Sequence, residues 1–166
     1  MQQTVKANSQ QVARAGEHFV AAELNRRGAY AVTFAGNMPI IDVLASDNEQ
    51  TMTVSIQVKT KSGSSRGWQT DIRRGQPRAK DSNENRYWIF VDLGTNGNAP
   101  EYCVVPEWWI QSDIYERHQE YLTNHGGERP KTKDSTHHQI LPHRIEQWRD
   151  RWDELGILAI GVEEPE

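Results

Sequence analysis

Apolar residues recur at helical spacing in the first predicted element of the chain. Residues 9–27 carry an apolar stripe at 100° per residue, formed by Ala13, Val20 and Leu24. Ser9 can cap the beginning of this helix, and Gly28 stands where a helix commonly ends. Glu17 falls at the edge of the stripe. Because desolvation disfavours the charge of a carboxylate, Glu17 must reach water there, or find a partner or a metal ion.

Alternating apolar and polar residues predict three strands after this helix, over residues 29–35, 40–46 and 51–60. The second and third strands flank a four-residue polar turn, so we expect them to pair as a hairpin with Ser46 opposite Thr51. In that register Gln57 is the diagonal neighbour of Asp42, about 7–8 Å away between Cα atoms. Asp42, Gln57 and Lys59 then share one face, and the apolar residues of both strands form the core face.

The rest of the chain predicts two more strands, two more helices and two long polar segments. The strands cover 86–93 and 101–105, the helices cover 106–122 and 145–155, and the polar segments cover 61–84 and 125–138. The last helix has an apolar stripe formed by Ile145, Trp148, Trp152 and Leu155. We expect one α/β domain over residues 1–166, with a core at about 9–123 and a C-terminal loop and helix in 124–166.

Composition excludes several classes of protein. No apolar run approaches the ~20 residues that a membrane span needs, and the first residues lack the apolar stretch of a signal peptide. The single cysteine, Cys103, excludes an internal disulfide and a cysteine-based zinc cluster. It favours a reducing, cytoplasmic setting and is expected to be inert core. Because there is no glycine-rich phosphate loop and no GxSxG motif, we expect neither a nucleotide cofactor nor an esterase.

Charge is distributed unevenly along the chain. The net charge is −4, yet residues 59–86 hold eight cations against three anions. Such a run is commonly a solvated loop, but it also fits an anion-binding surface on an otherwise acidic protein. If the second interpretation holds, the side chains expected to contact the anion are Lys61, Arg66, Arg73, Arg74 and Arg78.

Four side chains can converge at one end of the predicted hairpin: the helical Glu17, and Asp42, Gln57 and Lys59 on the strands. Hard divalent cations prefer oxygen ligands, and Mg²⁺ commonly takes one or two carboxylates together with water and phosphate. Lys59 could hold or help to deprotonate an attacking water, and it could stabilise developing negative charge. The structural alternatives are that Lys59 is an edge lysine that protects a strand, and that Asp42 is an aspartate close to a turn or paired with another group.

At these residues the chain resembles the PD-(D/E)XK nuclease superfamily, and in particular archaeal Holliday-junction resolvases and Mrr-type restriction endonucleases. The resemblance runs from about Gly16 to Ser62 through "GEHFVAAELNRRG", "IIDVLA" and "IQVK". It implies a restriction-endonuclease-like αβββαβ core with a central mixed sheet flanked by helices. It also implies Mg²⁺- or Mn²⁺-dependent hydrolysis of DNA, which would be the anion that the basic segment binds. The catalytic residues would be Glu17, Asp42, Gln57 and Lys59, and the first three of them would hold the metal ion.

Two departures from the family pattern leave an alternative open. No proline is adjacent to Asp42, and Gln57 stands where a second strand carboxylate is commonest. A glutamine can bind a metal ion through its carbonyl oxygen but brings no charge. The alternative is therefore a non-catalytic protein on the same fold that binds DNA or a protein partner.

Two further expectations concern histidines and assembly. Five histidines could form a zinc site, although their spacing matches no zinc motif: His118, His125, His137, His138 and His143. His137 or His138 could instead contact substrate, but ordinary surface histidines explain the group better than either role. Cutting both strands of a duplex takes two active sites, so a homodimer is expected. Its candidate surface residues are Trp108, Trp109 and Trp152, which core packing would explain equally well.

Overall fold

The computed structural model describes residues 7–36, 38–63, 65–95, 97–130 and 134–158. Its strands are β1 (Tyr30–Thr33), β2 (Val43–Ser46), β3 (Thr53–Lys61), β4 (Trp68–Asp71), β5 (Arg86–Asp92), β6 (Glu101–Pro106) and β7 (His137–Ile140). Its α-helices are α1 (Ser9–Arg26), α2 (Glu107–Asn124) and the single turn α3 (Pro142–Ile145). Short 3-10 helices cover Ile72–Arg74, Glu146–Trp148 and Trp152–Leu155.

A five-stranded mixed sheet lies at the centre, in the order β1-β2-β3-β5-β6. Only the β3–β5 pairing is parallel, and the other neighbours are antiparallel. The predicted fold class, a mixed α/β fold with a central sheet flanked by helices, is confirmed. The chain crosses from β3 to β5 through β4 and a 3-10 helix, and the second long helix follows β6. The strands β4 and β7 form a separate antiparallel pair that the sequence did not predict.

Each face of the central sheet has its own apolar core. One core joins Val20 and Leu24 of α1 to Ile56 of β3 and Ile89 of β5, all fully buried. The second core joins aromatic residues of β5, such as Phe90, to α2, β4 and β7. Because side chains alternate along β3, the face of Gln57 and Lys59 is the one that carries the second core.

The helix α1 sits unusually close to β3. A Cβ atom at Gly16 would stand 1.8 Å from Thr60 Oγ1, so only glycine allows this approach. Asn8, not the predicted Ser9, caps the helix: its side chain accepts the Gln11 N–H at 2.9 Å, and the Gln11 side chain accepts the Asn8 N–H in return. Gly28 ends the helix with φ 87°, as predicted.

The hairpin of β2 and β3 forms, but in a register two residues away from the predicted one. Ser46 pairs with Thr53 rather than with Thr51. The cause is Asp47, whose carboxylate accepts the backbone N–H of both Thr51 and Met52 at 2.8 Å and so lengthens the turn. A shift of two residues preserves the faces of the strands. It moves Asp42 from the diagonal position to one directly across from Gln57, one step beyond the Val43–Ile56 pair.

The predicted C-terminal helix over 145–155 is wrong. The chain turns at Asp150, which has φ 51°, and the Asp150 N–H donates to Tyr102 O of β6 at 3.0 Å. This pairing with β6 competes with the helical hydrogen bonds and divides the segment. Trp152 is therefore buried in the first core, which joins α1 to the sheet. Trp148 instead packs against Trp109 on the other face of the sheet, with ring centroids 5.7 Å apart.

Candidate functional site

Asp42 is half-buried immediately before β2. Its Oδ2 accepts the Val58 N–H at 2.7 Å, so the side chain takes the place of a strand-to-strand hydrogen bond at the point where β2 begins. Burial raises the pKa of Asp42, and the nearby Glu17 carboxylate raises it further, while the Val58 N–H opposes the shift. Asp42 is thus a carboxylate whose negative charge is disfavoured by its own surroundings.

Glu17 reaches the same place from α1. Its carboxylate bonds the Arg14 guanidinium at 2.5 Å, and Arg14 also donates to Phe34 O at 3.0 Å. The helical pattern predicts Arg14 on the polar face of the helix and does not by itself reveal this contact with Glu17. The signal that could have revealed it is the spacing of three residues, which places both side chains on the same helix surface.

Lys59 lies on β3 with its amine 5.7 Å from the centre of the Trp88 ring. Burial lowers the pKa of Lys59, the Asp42 charge partly opposes this shift, and the Arg74 charge adds to it. Among the residues that the structure describes, Lys59 forms no ion pair. An amine in this setting loses its proton more readily than an ordinary lysine does.

The half-buried Gln57 shares a face of β3 with Lys59, and Asp42 lies opposite Gln57, between Ile56 and Val58, to which it is hydrogen-bonded. Of the four predicted residues, Glu17, Asp42 and Lys59 are close enough for the charges of Glu17 and Lys59 to shift the pKa of Asp42. In the described part of the chain, no group of three His, Cys, Asp or Glu side chains could hold a metal ion. A cation bound here would need the Gln57 carbonyl oxygen beside the carboxylates of Glu17 and Asp42.

A depression of about 490 Å³ opens beside Lys59 and contains two of the predicted DNA-contacting arginines, Arg73 and Arg74. Arg73 is 76% exposed and bonds Asp71, whose pKa is lowered by this guanidinium. Arg74 donates to Pro39 O at 3.3 Å. The 3-10 helix that begins after Asp71 holds both arginines at the rim, because the Asp71 carboxylate accepts the Arg73 N–H at 2.8 Å.

The other three predicted DNA-contacting cations lie in different settings. Lys61 is buried, pairs with Asp92 and lies 5.0 Å from the centre of the Trp68 ring. Arg78 belongs to an ion-pair network that includes Glu84 at 3.0 Å. Arg66 is exposed on the loop between β3 and β4. Of the five predicted cations, Arg66 and Arg74 form no ion pair within the described ranges, and Arg73 pairs with the partly exposed Asp71 while remaining largely exposed itself.

Within the described residues, neither Cys103 nor any histidine lines the depression beside Lys59, although β7, which holds His137 and His138, pairs with the part of β4 that does. His138 bonds the Arg144 guanidinium at 3.3 Å, and burial lowers its pKa to about 4, with the Arg144 and His118 charges adding to the shift. Cys103 is buried in β6, and burial raises its pKa to about 12. In the ranges that the structure describes, no helix has the length and apolar character to cross a bilayer.

No protein-family model and no curated protein matches this chain. The solved structures that are similar to it include the following two. The bacterial homing endonuclease I-Ssp6803I is 13% identical, with 89% of this chain and 91% of that chain covered and a TM-score of 0.46. The Holliday junction resolvase Hjc from Archaeoglobus fulgidus is 14% identical, with 63% of this chain and 92% of that chain covered and a TM-score of 0.33.

Proposed function

We propose that this protein is a divalent-metal-dependent endonuclease that hydrolyses phosphodiester bonds of DNA. The observation that carries the proposal is a pair of half-buried groups whose pKa values are shifted in opposite directions. The pKa of Asp42 is raised and the pKa of Lys59 is lowered, beside a depression lined by arginines. Groups shifted in this way cluster where chemistry is done, because a general acid or base works best with a pKa near the working pH.

The oxygen ligands fit a hard cation such as Mg²⁺ or Mn²⁺. Burial and the Glu17 charge both disfavour an ionised Asp42, and a divalent cation between the two carboxylates would remove that penalty. Glu17, Asp42 and Gln57 would hold the ion. When bound, the ion would lower the pKa of a water and neutralise charge on the phosphate. Because Arg14 already pairs with Glu17, a cation would have to share this carboxylate with the guanidinium.

Lys59 acts on the proton and on the phosphate. With its pKa lowered, the amine can accept a proton at Nζ from a water that attacks phosphorus. As an ammonium it stabilises the negative charge that develops on the phosphate oxygens. Its position on a strand, next to Trp88, restricts the orientations of the amine.

The backbone of the nucleic acid would lie along the depression that holds Arg73 and Arg74, with Arg66 on the adjoining loop. Arginine suits this task because its planar guanidinium binds two phosphate oxygens at once. Lys61 and Arg78, also predicted to contact DNA, would have to leave Asp92 and Glu84 to reach a phosphate. The homodimer remains a prediction, but Trp152 is 2% exposed and cannot supply its surface.

The decisive experiment incubates the pure protein with plasmid DNA, branched DNA and a matching RNA, each with Mg²⁺ or Mn²⁺. We expect cleavage of DNA that EDTA prevents and that Asp42→Asn abolishes. The control variant is Lys80→Ala, an exposed cation outside the site. If neither ion supports cleavage of any substrate while the protein binds DNA, the nuclease proposal is wrong.

The second candidate function, a non-catalytic protein that binds DNA or a protein partner, is favoured by the Arg14–Glu17 contact. At 2.5 Å the guanidinium already neutralises Glu17, and Gln57 adds no charge that would attract a cation. Melting curves with and without Mn²⁺ separate the two functions. A metal site in the folded protein raises the melting temperature with ion concentration, whereas a pure binding protein shows no such dependence.

A further inference from the structure

Two large apolar side chains are exposed on the segment that leads into Asp42. Met38 is 46% exposed and Ile40 is 41% exposed, and the exposed Pro39 lies between them. Single apolar residues on a surface are ordinary. Two of them flanking a proline, on a short segment next to a candidate catalytic residue, call for a physical explanation.

This segment is held against the basic depression. The Arg74 guanidinium donates to Pro39 O at 3.3 Å, and Arg74 lines the same depression as Lys59. Asp42 follows Ile40 by two residues. Met38 and Ile40 therefore lie between the candidate catalytic residues and the arginines proposed to bind phosphate. The positive charge of these arginines favours an anionic partner there.

We propose that Met38 and Ile40 form an apolar wedge that enters between two stacked base pairs of DNA beside the cleaved phosphate. The inference rests on the proposed nuclease function. Methionine and isoleucine have nothing to bond to a phosphate, but side chains of this type insert at base steps, unstack them and kink the duplex. Arginines that grip the backbone beside the insertion, as Arg74 would, offset the cost of unstacking.

A matched control is present in the chain. Met52, in the turn between β2 and β3, is 52% exposed and thus at least as accessible as Met38. Its surroundings differ in charge, because the turn carries the acidic residues Asp47 and Glu49 rather than arginines. Removing Met52 tests the loss of an exposed apolar side chain without touching the proposed wedge.

The experiment uses short duplexes with 2-aminopurine placed at successive steps, and Ca²⁺ in place of Mg²⁺ so that DNA is bound but not cut. The wild type and Met52→Ala should raise 2-aminopurine fluorescence at one step, because unstacking relieves its quenching. The double variant Met38→Ala, Ile40→Ala should reduce this rise by about threefold or more. Met38→Leu, Ile40→Leu keeps apolar bulk and should preserve it. All three positions are exposed, and melting curves check that each variant folds.

Cleavage gives a second measurement. With Mg²⁺ or Mn²⁺, the double alanine variant should cut an intact duplex more slowly than the wild type does. It should recover on a duplex with a mismatch at the same step, because that step is already unstacked. An undiminished fluorescence rise in the double alanine variant overturns the wedge, as does an equal loss of cleavage on matched and mismatched DNA. A changed sedimentation profile with unchanged fluorescence would assign the surface to protein contact instead.

The failures of the two proposals are distinguishable. If the wild type cuts DNA without any fluorescence change, the wedge is wrong and the nuclease stands. If the wild type raises fluorescence at one step but cuts nothing with either ion, the nuclease is wrong, and only the insertion of Met38 and Ile40 at a base step, in a DNA-binding protein that does not cut, stands. If the wild type binds no DNA, both are overturned.

Discussion

Two clusters of charged residues in this protein have opposite electrostatic character. The first is the candidate site, where Asp42 and Lys59 are both half-buried and both shifted away from their charged forms. The second lies at the beginning of α2, where Arg78 pairs with Glu84 at 3.0 Å and Arg86 pairs with Glu107 at 3.0 Å. In the second cluster, each buried carboxylate has a guanidinium and further hydrogen-bond donors.

The α2 cluster uses its charges to hold elements together. Glu84 accepts the Trp108 N–H at 3.0 Å and so satisfies an N–H at the start of α2 that no helical carbonyl can reach. Glu107, in the first turn of α2, also lies where the helix dipole favours an anion. The candidate site instead keeps a cation and an anion only partly compensated. The difference fits the proposal that one cluster stabilises the fold and that the other binds substrate and reacts.

Among the substitutions that test the difference between the two clusters, the largest expected effect is the loss of cleavage when Lys59 is replaced. Lys59→Ala should lower the cleavage rate by about 10²–10⁴-fold, because it removes proton transfer and charge stabilisation together. DNA affinity should change little, since one phosphate contact is a small share of the binding. Single-turnover cleavage and equilibrium binding measure the two quantities. Wild-type rates in a folded Lys59→Ala protein would remove this residue from the mechanism.

The next effect is on stability, in the α2 cluster. Glu84→Ala leaves the Arg78 guanidinium and the Trp108 N–H without their shared acceptor, so unfolding in urea should be easier by about 2–3 kcal/mol. Glu84→Gln keeps an acceptor oxygen and should cost less. DNA cleavage per folded molecule should be unchanged. A loss of cleavage larger than the loss of folded protein would show that the two clusters are not separate.

A smaller and opposite effect on stability is expected at Asp42. In Asp42→Asn the amide oxygen can still accept the Val58 N–H, while the disfavoured charge is gone, so the metal-free variant should melt about 2–4 °C above the wild type. Because the folded pKa of Asp42 is raised, the wild type binds this proton more tightly when folded. Its stability therefore falls as pH rises from the ordinary carboxylate pKa through the raised value.

The melting difference should accordingly be small in acid and reach its full size above the raised pKa. At neutral pH, Mn²⁺ should raise the melting temperature of the wild type above that of Asp42→Asn, because it stabilises the wild type alone. Asp42→Ala is the matched variant, because it removes both the charge and the acceptor for the Val58 N–H and should melt below Asp42→Asn. Equal melting of wild type and Asp42→Asn at every pH and ion concentration would show that Asp42 carries no such charge penalty.

The smallest effect concerns the rim arginines. The double variant Arg73→Ala, Arg74→Ala should reduce the slope of log affinity against log salt by about 1–2 units and weaken binding equally across sequences. The control pair Arg26→Ala, Arg117→Ala removes two exposed arginines outside the depression. An unchanged slope in the rim variant would mean that the basic segment is a solvated loop.

The local part of the candidate site could be predicted from the sequence. Alternation along one strand places Gln57 and Lys59 on the same face, whatever even register the hairpin adopts. The environment of each lysine could not be predicted. Lys59 and Lys61 occupy equivalent positions in the pattern, yet Lys61 is neutralised by Asp92, which the parallel pairing of β3 with β5 brings alongside it.

Long-range pairings account for the errors in the predicted fold. The strand β4 is four residues long and finds its partner β7 about 70 positions later, so no local pattern could reveal the pair. The C-terminal stripe predicts a single helix because Trp148 and Trp152 are four residues apart. Its true arrangement depends on a hydrogen bond to Tyr102, a residue on a distant strand.

The contact between Gly16 and Thr60 fixes the distance between α1 and β3, and with it the spacing of the carboxylates in the candidate site. Glu17 belongs to the helix, and Asp42 is bonded to the sheet. Any side chain at position 16 would push the helix away from the sheet and so increase the distance between the two carboxylates. Mg²⁺ requires ligand distances of about 2.0–2.1 Å, whereas Ca²⁺ accepts about 2.3–2.6 Å. The missing methyl group of one glycine would thus help to determine the size of ion that this protein can use.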